Sequence, residues 1–176
     1  MSLEVRLRSV IRDVPDFPKP GIVFKDITPI MQDAQLCHEI IEDLAKNLKK
    51  LNIQGVAGIE SRGFLLGMPL AMALNVPFIL IRKKGKLPYK TVSYAYNLEY
   101  GTAEVEMHID AVKPNQRILI HDDLLATGGS ASAAAELITN QKAQVVGFNF
   151  LVELAFLNGR NGLMKYSENI SNLVHY

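Results

Sequence analysis

An α/β fold, with a parallel-sheet core flanked by helices, is predicted by three observations. Short apolar runs at 56–59, 78–81, 118–120 and 144–154 suit strands covered on both faces, and they alternate with stretches of helical periodicity. Three of the strand-like runs give way to charge or to small residues, where open α/β sheets bind ligands. The chain has 176 residues and 48% hydrophobic content, enough for one substantial core and too little for a second full domain.

Composition narrows the partners. A formal net charge of +1 gives no global pull toward nucleic acid or an anionic membrane, so any anion binding must be local. No apolar run approaches a membrane span, and the start MSLEVRLRSV is charged and amphipathic rather than signal-like. The single cysteine, Cys37, excludes an internal disulfide and suits a reducing compartment, so a cytoplasmic location is expected.

Leu3, Leu7, Val10 and Ile11 recur at helical spacing behind a Ser2 cap, and Pro15, Pro18 and Pro20 are expected to end that helix. The next stretch, DFPKPGIVFKDITPI, reads as an irregular, partly extended arm laid against the body. From Asp33, a helix N-cap, the residues Leu36, Cys37, Ile40, Ile41, Leu44, Leu48 and Leu51 trace one apolar face. Cys37 lies on that stripe and reads as a structural thiol. His38 lacks the second histidine of a zinc helix.

The strand at 56–59 runs into Glu60, Ser61, Arg62 and Gly63 before an apolar helix over 64–74, in which Pro69 should kink the helix or lie near its start. An arginine at such a turn can fork onto diphosphate oxygens. The strand at 78–81 leads into a basic, Gly- and Pro-punctuated loop, RKKGKLPYK, which is either solvated surface or an electrostatic lid. Alternation at Tyr94, Tyr96, Leu98 and Tyr100, then at Ala103, Val105, Met107 and Ile109, predicts a hairpin turned near Gly101.

The stretch RILIHDDLLATGGSASAAAEL organises the rest. A buried strand ends in Asp122 and Asp123, a loop of Ala126, Thr127, Gly128, Gly129 and Ser130 brings N–H and hydroxyl groups close to an anion, and a helix from 132 adds its N-terminal positive end. Together these describe a site for a phosphorylated ligand whose hydroxyls or hydrated Mg²⁺ meet the acids. Gly58 to Gly63 has the glycine spacing of a P-loop, but Phe64 and Leu65 stand where Lys and Ser/Thr are required, and no GxGxxG occurs.

IHDDLLATGGS resembles the signature of the type I phosphoribosyltransferases, enzymes that use 5-phosphoribosyl 1-pyrophosphate (PRPP), and is closest to their adenine-specific branch. ESRGF, RKKGKLP, NLEYG and DFP-PGIVF-DITP are similar to further elements of that branch, in the same order. The resemblance implies a single domain over 1–176, with a small N-terminal hood over about 1–32 and a flexible β-hairpin lid over about 83–104. It implies transfer of phosphoribose from PRPP to adenine, giving AMP and pyrophosphate in purine salvage, by a homodimer whose basic loop reaches the neighbouring site. Mg²⁺ would be carried by PRPP, with Asp122 and Asp123 touching it through water. Residues 126–130 and the two acids would hold phosphate and ribose. Ser61, Arg62 and Lys86 would hold pyrophosphate, with a cis peptide common in that loop. Val23, Phe24, Lys25 and Leu124 would grip adenine, Glu99 would carry the adenine proton, and Tyr100 would sit in the lid. His121 replaces the apolar residue usual before the acids and reads as a packed, hydrogen-bonded side chain. Two rivals stay open: a transferase for hypoxanthine or guanine, and a PRPP-sensing regulator that binds nucleic acid. Against the regulator stand the near-neutral charge, the lack of a spare DNA-binding segment, and the presence of Arg62 and Glu99.

Overall fold

The computed structural model describes residues 2–98 and 101–176. Helix α1 (Leu3–Val10) is followed by strands β1 (Arg12–Pro15) and β2 (Val23–Asp26) and helix α2 (Ala34–Leu48). Then come β3 (Gly55–Ile59), α3 (Gly63–Leu74), β4 (Phe78–Lys83), the hairpin β5 (Thr91–Leu98) and β6 (Gly101–His108), β7 (Arg117–Leu125), α4 (Gly129–Asn140), β8 (Gln144–Glu153), α5 (Gly159–Leu163) and β9 (Ile170–His175). The main sheet has the order β5-β6-β4-β3-β7-β8-β9, and β1 pairs with β2 in a separate two-stranded sheet. Strands β4, β3, β7, β8 and β9 run parallel, while β6 joins β4 antiparallel and brings the hairpin onto that edge.

Strand period two divides the core into two layers. Ile118 and Ile120 of β7 face α4, where Ala131, Ala134, Leu137 and Ile138 pack with Phe148 and Phe150 of β8. Leu119 faces the other side, against Leu36, Ile40 and Leu44 of α2 and Leu66 and Leu70 of α3. Small alanines on the buried face of α4 let that helix lie close to the sheet. The caps read from sequence are present: Ser2 accepts from the Val5 N–H at 3.4 Å, and Asp33 accepts from the Leu36 N–H at 2.9 Å. No helix among the described residues is long and apolar enough to cross a membrane.

Several boundaries differ from the sequence reading. Helix α1 stops at Val10, before any proline, because the chain turns into β1 and pairs there with β2. The arm is therefore a short sheet followed by a 3-10 turn over Thr28–Gln32. Pro69 lies well inside α3, where its missing N–H leaves the Leu65 carbonyl without a helical donor. Strand β7 continues through the acids to Leu125, paired with β8 up to Glu153, and α4 starts at Gly129 rather than at 132.

Candidate active site at the carboxyl ends of the central strands

The carboxyl ends of β3, β4 and β7 open on a cleft of about 370 Å³ lined by Ile59, Glu60, Ser61, Arg62, Lys83, Asp122, Asp123, Leu124 and Ser130. It adjoins a smaller hollow of about 110 Å³, which shares Asp122, Leu124 and Ser130 and is otherwise walled chiefly by residues 125–131. The motifs following β3 and β7 thus meet at one place, as β-strand neighbours must.

The acids are held unequally. Asp123 is buried and accepts the Arg62 Nε–H at 2.5 Å, while Asp122 is half-buried and accepts the Asp123 backbone N–H at 2.9 Å. Burial, followed by the charge of Asp123, pushes the Asp122 carboxyl well above the ordinary range. The start of α3 presses on this pair: a Cβ on Gly63 would lie 2.9 Å from the Asp122 Oδ1 and 3.0 Å from the His121 carbonyl. The Glu60–Ser61 peptide is cis. Among the described residues, no group of three or more His, Cys, Asp or Glu side chains is arranged to hold a metal.

The small-residue loop is set from behind by α5, an element not read from sequence. Gly128 has φ +82°, and a Cβ there would lie 2.8 Å from the Gly159 carbonyl oxygen; a Cβ on Gly159 would lie 2.1 Å from the Ala126 carbonyl oxygen. Both positions therefore require glycine. The Ser132 N–H bonds to the Gly128 carbonyl at 2.8 Å and is the first to turn back into α4, so the N–H groups of Gly129, Ser130 and Ala131 are the open donors of a helix start.

The basic loop is built differently. Glu106 of β6 is 2% exposed and accepts the backbone N–H groups of Lys86 and Leu87, each at 2.8 Å. Burial alone would raise its carboxyl, yet the N–H groups of Leu87, Lys86 and Gly85 hold it below the ordinary range. Arg82 donates to the Lys86 carbonyl at 3.0 Å and to Glu60 at 3.2 and 3.3 Å, which ties the loop to the β3 end. Lys83 borders the cleft; Lys86 is exposed and does not.

In the N-terminal arm the Phe24 ring centre lies 5.6 Å from the Arg62 guanidinium, and Phe17 meets Phe24 edge-on at 5.2 Å. Val23 is exposed. The Lys25 ammonium bonds Asp13 at 2.6 Å and sits 3.9 Å from the Tyr176 ring centre, so its side chain is engaged away from the cleft. His121 is fully buried, with its Nδ1 2.9 Å from the Asn149 Oδ1, and burial lowers its pKa to about 4, which keeps it neutral as the packed side chain expected. Glu99 and Tyr100 lie outside the described residues. Lys83, Glu60, Glu106 and Tyr96 were not assigned to the site one by one from sequence, although Glu60 shares the strand-to-turn position of Arg62, Lys83 stands in the basic loop and Tyr96 in the hairpin alternation.

Residues 24–167 match the phosphoribosyl transferase domain. The chain is 50% identical over 174 residues to the adenine phosphoribosyltransferase of Cytophaga hutchinsonii, covering 99% of this chain and 96% of that protein. It superposes with TM-score 0.94 and 48% identity on the crystal structure of adenine phosphoribosyltransferase from Thermoanaerobacter pseudethanolicus, covering 99% of this chain and all (100%) of that one. With the Saccharomyces cerevisiae enzyme, solved with adenine and an imino-altritol bisphosphate, the TM-score is 0.92 at 36% identity, over 97% of this chain and 98% of that one. With about half of its residues identical to these relatives over nearly its whole length, and the same fold, the chain belongs to the adenine phosphoribosyltransferase family.

Proposed function

We propose that this chain transfers phosphoribose from PRPP to adenine, forming AMP and releasing pyrophosphate. The observation that carries the reading is the joining of two hollows across Asp122, Leu124 and Ser130, one walled by open amides and the other by Arg62, Lys83 and the carboxylates of Glu60, Asp122 and Asp123. A ribose phosphate fits that layout, with its 5′-phosphate on residues 126–130, its hydroxyls at Asp122 and Asp123, and its diphosphate toward Ser61, Arg62 and Lys83, while Lys86 would reach the diphosphate from outside the cleft lining.

In the reaction the C1′–O bond to pyrophosphate breaks as the bond from the adenine nitrogen to C1′ forms, and positive charge develops on the ribose ring. Asp122 and Asp123 stabilise that charge, and Arg62 and the basic loop draw off the leaving group. The phosphate loop, remote from C1′, supplies binding energy that positions the ring. Leu124, Val23, Phe24 and the Lys25 backbone enclose adenine, and Glu99 takes its proton. Of the three carboxylates at the cleft, Glu60 is engaged by Arg82 and the Lys83 N–H, which leaves Asp122 and Asp123 as the hard oxygens that would hold Mg²⁺ carried by PRPP, through water. When bound, that cation neutralises diphosphate charge.

The hood over 1–32 and the lid over 83–104 are part of the same proposal, as are a cytoplasmic setting and a homodimer. Leu65, Met68 and Met72, exposed by 49%, 48% and 69%, form an i, i+3, i+7 stripe on α3 suited to a second copy, which sedimentation at micromolar concentration reads.

Incubation with PRPP, Mg²⁺ and separate purines tests the function: AMP from adenine is expected. IMP or GMP in its place points to the purine rival, and no product with a gel shift on nucleic acid points to the regulator. Asp123→Asn is expected to lower turnover on the order of 10²-fold, and Glu99→Gln to slow single-turnover AMP formation. Wild-type rates would remove the residue concerned from the chemistry.

A further inference from the structure

Tyr96 belongs to neither cavity lining, yet it touches the end of the phosphate loop, where α4 begins. Its hydroxyl lies 3.0 Å from the Ser130 Oγ, and its ring packs on the first turn of α4, where a Cβ on Gly129 would lie 3.6 Å from the ring edge. Ser130 borders both hollows. A serine hydroxyl has one proton to give and two lone pairs, so the direction of the Tyr96–Ser130 bond decides what Ser130 offers a ligand. If Ser130 donates to Tyr96, its lone pairs face the cavity and repel an anion. If Tyr96 donates to Ser130, the serine proton is free to point at a phosphate oxygen, and the two bonds in series polarise one another.

Resting on the reading of residues 126–130 as the 5′-phosphate site, we propose that Tyr96 is a positioning residue that fixes Ser130 as a phosphate donor. The phenol gives its proton to the Ser130 Oγ, and the serine gives its own to the phosphate. Strand β5 is thereby coupled to occupancy of a loop some thirty residues away, and the coupling acts only on ligands that carry the phosphate.

The test uses the full chain and four proteins: wild type, Tyr96→Phe, Ser130→Ala and the double variant, with thermal melts to show that all are folded. Phenylalanine keeps the ring on Gly129 and removes only the hydroxyl. Calorimetry with AMP and with adenosine, and steady-state kinetics with PRPP and adenine, supply the readouts. Tyr96→Phe is expected to weaken AMP binding and raise KM for PRPP by about five- to tenfold, the upper range for losing one neutral hydrogen bond. Adenosine affinity and KM for adenine should move less than about twofold, and the double variant should be no worse than Ser130→Ala, since the relay has a single thread. Unchanged AMP affinity in Tyr96→Phe overturns the proposal, as do equal losses for AMP and adenosine or losses that multiply in the double variant. Should wild type bind AMP and adenosine equally well, the phosphate-site reading itself falls, an outcome visible before any variant is made.

Discussion

Two loops follow strands of one sheet and face one cleft, and they attract anions by opposite means. Residues 126–130 offer two hydroxyls and no charged side chain, and their helix-start amides are left open, pinned by the approach of Gly128 to Gly159. Residues 83–90 carry several cations, but their amides at Lys86 and Leu87 are already taken by the buried Glu106 carboxylate. The first loop resembles a mould set before the ligand arrives; the second has its backbone satisfied from within and leaves only lysine side chains, which act at longer range and are screened by salt. Preorganised amides suit the part of a ligand that must be positioned, and movable charge suits the part that leaves.

The comparison breaks most visibly at Gly128. Gly128→Val forces a β-branched residue to φ +82° with a Cβ 2.8 Å from the Gly159 carbonyl oxygen, so the mould must open. The expected loss is on the order of 10² in kcat/KM for PRPP, within the range for removing preorganised donors, and AMP affinity should fall with it. Near-normal AMP binding in a folded variant would show that the loop does not hold the phosphate.

A smaller change sharpens the contrast from the other side. Glu106→Gln keeps the shape and one carbonyl acceptor but gives up the charge that draws two amides, so the basic loop loosens while residues 126–130 are untouched. KM for PRPP should rise about fivefold, roughly the worth of a charge-assisted over a neutral hydrogen bond. AMP, which lacks the diphosphate, should bind as before. Equal losses for PRPP and AMP would mean that the two loops are not separable.

Much of this was legible in the chain. The apolar run at 118–120, the acids, the glycines and the alanine-rich helix follow one another without interruption, so local chemistry sufficed to place the phosphate loop. What escaped was set by distant partners. Asp122 and Asp123 marked an apparent strand end because polar residues normally leave the core, yet β8 continues alongside and the strand runs on to Leu125. Glu106 falls on the solvent side of the β6 alternation, but the basic loop folds back over that face and buries it. Lys25 looked available for a ligand until Asp13 and Tyr176, one from a neighbouring strand and one from the last residue, closed on it. The glycine at 159 marks no motif at all; its need appears only when the Ala126 carbonyl stands against it.

The mildest perturbation leaves both loops alone and concerns the strand that carries the acids. His121 and Asp122 are adjacent, and the fold shifts their titrations in opposite directions. Burial lowers His121 from 6.5 to about 4, so the unfolded chain takes up this proton first and stability falls as pH drops from 6.5 toward 4. The whole effect is on the order of 3 kcal/mol, from 1.36 kcal/mol per pKa unit. Asp122 is raised, so the folded state keeps its proton longer and stability falls as pH rises from 3.8 toward the raised value. Replacing His121 and its partner Asn149 together by leucine removes the first slope without stranding the Asn149 carbonyl that faces the imidazole. Denaturant unfolding at pH 7 and pH 5 should then show a smaller acid loss in the double variant than in wild type, and an identical loss would mean that the buried imidazole is not the group sensing acid. Asp122→Asn should move the balance the other way, gaining stability at neutral pH on the order of 1 kcal/mol by removing a carboxylate that burial disfavours. A variant at once more stable and poorer in catalysis would show that this strand holds its charge for the reaction rather than for the fold.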